Sequence, residues 1–184
     1  MALHAAVSHR ADVVGITLSQ TQFDLARQRV AAAALEEQVE IRLQDYRKLG
    51  GEYFDAISSI GMFEHVGASR MAEYFETLNG LLSPGGRLLN HAISTPGGSK
   101  IGSRSFMGRY VFPDGELIDV GEVVLAMQRA GFEVRDVESL RSTIRKHFML
   151  GLRTCRSIGM RQSPLSDRAE HALARLHGGI GQRF

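Results

Sequence analysis

The sequence has no tryptophan, one cysteine and four prolines among its 184 residues. A lone thiol, Cys155, cannot close an internal disulfide, so the fold must rest on its core, and a reducing cytoplasm is the expected setting. No stretch approaches the roughly 18 uninterrupted apolar residues of a membrane-spanning helix. The opening MALHAAVSHRADVV has no basic segment ahead of a long apolar one, so no secretory signal is read there. Internal repeats and CxxC motifs are also absent. His4, His9, His65 and His91 show no tight ligand spacing, and no metal is expected.

What is present is ordinary globular material, 43% hydrophobic and 23% charged, enough for one domain or one domain and a tail. The net charge of +2 is unevenly placed. Residues 1–141 hold 14 Lys and Arg against 18 Asp and Glu, whereas residues 142–184 hold 8 against 2. A basic tail of that kind invites a nucleic acid or an anionic membrane surface as partner.

Hydrophobic spacing divides the first 141 residues into alternating elements. A helix is expected over 2–10, a strand over 12–19 and a helix over 20–38, where four consecutive alanines favour helix. Strands follow over 39–43 and 54–62, separated by a loop. Ser69 is a candidate cap for a helix over 70–82, which Ser83-Pro84-Gly85-Gly86 ends. A strand over 87–94, a Gly/Ser-rich insertion or lid over 95–115, a helix over 119–130 and a strand over 132–139 complete the series. This is the alternation of an open, doubly wound α/β sheet.

The loops carry the specific signal. GITLSQTQ (residues 15–22), VEIRLQDYR (39–47), FDAISSIGMFEHVG (54–67), LLSPGGRLLNHAIS (81–94) and YVFPDGEL (110–117) resemble the cyclopropane-fatty-acid synthase family of S-adenosylmethionine-dependent methyltransferases. That family includes the mycolic acid cyclopropane synthases. SPGG is common to many methyltransferases, whereas SIGMFEHVG together with TLSxxQ is specific.

The resemblance implies a Rossmann-like doubly wound sheet, incomplete because its first and last strands are missing. A glycine-rich loop of the G-C-G-x-G type is expected to fall before Met1, and the chain alone is expected to bind the cofactor weakly or not at all. The tail also departs from the family. After Arg141 the family continues His-Tyr, then Ala or Pro, then Lys-Thr-Leu-x-x-Trp. A two-base shift of reading over residues 143–151 permits that continuation at every constrained position. The partial methyltransferase domain is therefore expected over 1–141, with 142–184 out of frame and poorly ordered. On that reading the tail's charge reflects base composition, and no nucleic-acid partner is expected.

The resemblance also assigns chemistry. Thr17, Leu18, Ser19, Gln20, Thr21 and Gln22 would hold the ribose and amino-acid end of S-adenosylmethionine, and Asp45 and Tyr46 would face its adenine. Ser19 is equally a helix cap, and Asp45 equally an ordinary loop residue. Glu64, His91 and the backbone at Ile93 would hold a bicarbonate ion. Bicarbonate would act as a small base for the proton lost when a methylated double bond closes to a cyclopropane. Without the resemblance, His91 reads as a core histidine and Glu64 as a carboxylate at a helix start. The family's tyrosine should fall near Thr143 and its cysteine before residue 1, and Cys155 replaces neither. Phe106, Tyr110 and Phe112 either line an acyl groove or pack the insertion.

The expected function is methyl transfer to the double bond of an unsaturated fatty-acyl lipid, with peripheral membrane contact; the sequence sets no oligomeric state. Two other readings stand beside it: a non-catalytic remnant of such an enzyme, and a methyltransferase for another small molecule.

Overall fold

The computed structural model describes residues 1–95 and 116–140. The chain divides into two units, Met1–Gly98 with Glu116–Phe132, and Ser99–Gly115 with Glu133–Phe184. The expectations for the tail, and for all of the insertion but Thr95, lie outside the described residues.

In the first unit the order is α1 (Ala2–His9), β1 (Val13–Thr17), α2 (Gln20–Ala32), β2 (Val39–Leu43), β3 (Phe54–Ile60), α3 (Met71–Gly80), β4 (Leu82–His91) and α4 (Val120–Arg129). Short 3-10 turns at Tyr46–Lys48, Phe63–His65 and Ala68–Arg70 connect them. No described helix is long and apolar enough to cross a membrane.

The α/β alternation is borne out, and both strand pairs are parallel. β1 pairs β2 from Val13↔Val39 to Thr17↔Leu43, and β3 pairs β4 through Ile57↔Leu88, Ser59↔Asn90 and Ile60↔His91. Among the described residues these are two separate two-stranded sheets rather than one continuous sheet. One face of β3–β4 packs Ile57 and Leu88 into the main core, formed by Phe63, Tyr74, Phe75, Leu78 and Ile118. The opposite face leaves Ala56, Ser58, Ile60 and Leu89 exposed, unlike the usual parallel strand with both faces covered. A smaller core of Ala6, Val30 and Val39 lies under β1 and β2.

Four features differ from expectation, each for a physical reason. The second helix stops at Ala32, not Gln38. Ala34 takes a left-handed conformation (φ 53°), its N–H donates to Ala31 O and the Leu35 N–H donates to Val30 O. This closure turns Leu35 back onto the smaller core, and that burial outweighs the helix preference of the alanines. Ser69 caps no helix, because the chain makes a 3-10 turn there before α3 begins at Met71.

β4 begins five residues early, at Leu82, because its ladder with β3 continues across an irregularity between Phe54 and Ala56. Gly86 permits this: a Cβ there would lie 2.8 Å from Ser83 O and 3.2 Å from Asp55 O. The strand expected over 132–139 does not form. Its alternating sequence has no ladder partner among the described residues, and a strand without a neighbour leaves its backbone groups unpaired. In the second unit the described residues include an exposed ion pair, Arg135 with Glu133.

Candidate active site

The sequence-predicted residues collect where parallel strands end, at their carboxyl edges, the usual ligand side of such sheets. They form two groups. The first follows β1 and β2, which the Gln44 N–H joins by donating to Thr17 O at 3.0 Å. The second follows β3 and β4, where the Gly61 N–H donates to His91 O at 3.0 Å.

In the first group the turn from β1 into α2 is closed by its own side chains. Thr17 Oγ1 donates to Gln22 Oε1 at 2.9 Å and accepts from the Ser19 N–H at 3.1 Å. Ser19 Oγ accepts from the Gln22 N–H at 3.4 Å, so the expected cap is present. Gln20 donates to Asp24, Thr21 is exposed, and Leu18 stands 74% exposed beside the turn. Asp45 begins the 3-10 turn after β2 and accepts from both the main chain and the guanidinium of Arg47. That guanidinium holds the Asp45 carboxyl down at about 2. Tyr46 packs its ring edge-on against Tyr74, 5.5 Å between centroids, and burial raises its phenol. The turn from β1 retains groups that suit ribose hydroxyls: the Ser19 hydroxyl, and the amide N–H2 that Gln22 carries beside its engaged oxygen.

The second group is built around Glu64. Its neighbour Phe63 is part of the main core and stacks obliquely on Tyr74 and Phe75, with centroids 5.5 and 5.4 Å apart. Anchoring Phe63 turns the adjacent Glu64 inward, where it is only 2% exposed. Glu64 Oε1 accepts from the Ile93 N–H at 2.7 Å. Its other oxygen, Oε2, is buried without a hydrogen-bond partner among the described residues, and so is His91 Nδ1. Buried polar atoms are nearly always paired, so each of these two atoms keeps a hydrogen-bonding capacity that no described residue takes up. The structure thus brings Glu64 and Ile93 into contact and gives Ile93's N–H to Glu64.

Sequence reasoning missed the support beneath this group. The Tyr74 hydroxyl, fully buried, lies 2.7 Å from Ser59 Oγ and 3.1 Å from Asn90 Oδ1, spanning the register pair just before His91. Burial pushes that phenol up to about 12, so it remains a proton donor at ordinary pH. Glu116 was also missed; its main-chain N–H donates to Glu64 O at 2.8 Å. A cavity of about 720 Å³ lies elsewhere, toward the amino ends of β1 and β3. Asp12, Glu36, Glu40, Glu52 and Asp55 line it, an acidic surround that repels anions.

Residues 1–157 match the family described as mycolic acid cyclopropane synthetase. The chain belongs to that family. A relative named "Probable fatty acid methyltransferase", from Pseudomonas putida, is 43% identical over 146 residues, covering 77% of this chain and 37% of the relative. The cyclopropane-fatty-acyl-phospholipid synthase of Escherichia coli K12 is 36% identical over 126 residues, covering 67% and 31%. The crystal structure of mycolic acid cyclopropane synthase CmaA1, complexed with SAH and CTAB, aligns with a TM-score of 0.70 at 25% identity. That alignment covers 91% of this chain and 64% of the synthase. The chain spans about a third of the length of the curated relatives it matches. The fold is thus the Rossmann-like α/β arrangement of this synthetase family, present in part.

Proposed function

We propose that this cyclopropane synthetase family member transfers a methyl group from S-adenosylmethionine to the double bond of an unsaturated fatty-acyl lipid, with bicarbonate held at Glu64 and His91. The observation that carries the reading is that two buried atoms, Glu64 Oε2 and His91 Nδ1, have no partner among the described residues. When bound, S-adenosylmethionine supplies the methyl group, and bicarbonate supplies a small base for the proton released on ring closure. Thr17–Gln22, Asp45 and Tyr46 would hold the cofactor, at the ends of β1 and β2.

The chain's own residues suit such an ion. A carboxylate accepts hydrogen bonds and cannot donate them, so a ligand at Glu64 Oε2 must bring a proton of its own. Bicarbonate has an O–H for that bond and two further oxygens for a donor. His91 is that donor when its Nδ1 carries the proton. Ile93, with its N–H engaged, holds the carboxylate in place. Recruiting the base as an ion also keeps protein carboxylates at a distance from an electrophilic centre that would alkylate them. The exposed apolar residues beside the strand ends, Leu18, Ile60 and Ile93, suit an acyl chain and peripheral contact with a lipid surface.

This chain restored to the length of its family relatives, incubated with S-adenosylmethionine, bicarbonate and vesicles of unsaturated phospholipid, is expected to add one carbon to the acyl chains. Mass spectrometry of the released fatty acids reads this directly. Unchanged acyl chains, with the cofactor bound and the vesicles intact, would contradict the proposal.

A further inference from the structure

We propose that Glu116 is a positioning residue for Glu64, acting through the turn that carries it. Glu116 ties down both sides of that turn. Its main-chain N–H donates to the carbonyl of Glu64 at 2.8 Å, and its carboxylate Oε2 accepts from the Ala68 N–H at 2.8 Å. Between these two ties the chain must reverse through Gly67, which sits at φ 77°, a region that favours glycine. A Cβ at Gly67 would already lie 3.4 Å from the Glu116 carboxylate, so the two approach closely.

The Ala68 N–H opens the 3-10 turn leading into α3 and would otherwise be an unpaired donor. A carboxylate at that point also meets the positive end of the following helix. The consequence reaches Glu64 because both ties close on the turn that carries it, beside the main-core contacts of Met62, Phe63 and Val66. It sits on a three-residue turn anchored by Phe63 on one side, and its carboxylate must meet the Ile93 N–H at 2.7 Å. Residues 117 and 118 extend the same support: the Thr95 N–H donates to Ile118 O, and Thr95 Oγ1 donates to Leu117 O. The segment from Glu116 to Ile118 therefore contacts the chain on both sides of the Glu64–Ile93 bond. The main-chain tie survives any substitution at 116 except proline, whereas the tie to Ala68 depends on the side chain.

The role rests on the reading of Glu64 as an anion holder, and the test separates the two. Amide hydrogen exchange and ¹⁵N spectra are recorded on the full chain, with sodium bicarbonate as the probe. Glu116→Ala is expected to speed exchange of the Ile93 N–H about tenfold and to raise the bicarbonate midpoint by a similar factor, the scale of one charge-assisted hydrogen bond. Glu116→Gln keeps an acceptor for Ala68 and is expected to restore both to near the unsubstituted values. The amides of Ile16 and Val39, in β1 and β2, are expected to be unchanged in both variants. An Ile93 amide indifferent to Glu116→Ala would overturn the role, as would Glu116→Gln behaving like alanine. If Glu116→Ala fails to fold, Glu116→Gln must still match the unsubstituted chain. Failure of bicarbonate to move any resonance of the unsubstituted chain would overturn the anion reading alone, since Ile93 exchange still judges Glu116.

Discussion

Phe75→Ala is expected to cost about 3–5 kcal/mol of folding stability, against the roughly 5–15 kcal/mol that holds a domain together. Phe75 is fully buried and touches three other rings: Phe63 at 5.4 Å, Tyr74 at 5.0 Å and Phe132 at 6.3 Å between centroids. Removing it loses the transfer free energy of the ring and leaves a void that three rigid neighbours cannot collapse to fill. The damage would extend to the site, because Phe63 is the anchor that turns Glu64 inward. Urea unfolding of the two chains measures the difference, and a loss below about 1 kcal/mol would mean that the cluster repacks freely.

In the chain restored to the length of its relatives, Glu64→Gln is expected to lower methyl transfer about 100-fold or more, the scale of a positioned acid–base group. The change is nearly isosteric, which makes it informative. The Gln side chain still offers one oxygen to the Ile93 N–H, so its N–H2 replaces the orphaned Oε2. A donor then stands where an acceptor was, facing the proton of the ion. Stability is expected to change little, since the bond to Ile93 survives. Turnover within about twofold of the unsubstituted protein would mean that Glu64 only caps or packs.

Much of this arrangement was legible in the residues. The alternation of short β-branched runs with longer helical spacings gave α1 to α4 and the four strands, since burial of one face dictates both periods. The strand-end motifs GITLSQTQ and SIGMFEHVG fixed where Ser19 and Glu64 would fall. What was not legible depends on contacts distant in sequence. The stop of α2 required knowing that Leu35 returns to a core containing Ala6 and Val39. The capping of the turn at Ala68 comes from Glu116, 48 residues away, which no local rule anticipates. Tyr74 reads in sequence as one apolar position of a helix, yet its hydroxyl spans a strand pair. The FEVRDVES stretch shows the converse, because alternation proposes a strand but only a neighbour can pair it.

The central claim is that Glu64 and His91 hold an anion that donates a proton. It is tested most directly by following the His91 ring nitrogens by ¹⁵N spectroscopy during titration with bicarbonate and, separately, with nitrate. Nitrate has the same planar shape and charge but no proton for Glu64 Oε2. The account predicts a saturable shift of His91 Nδ1 with bicarbonate, abolished in Glu64→Gln, and none with nitrate. Equal responses to the two anions, or a bicarbonate response that survives Glu64→Gln, would contradict it.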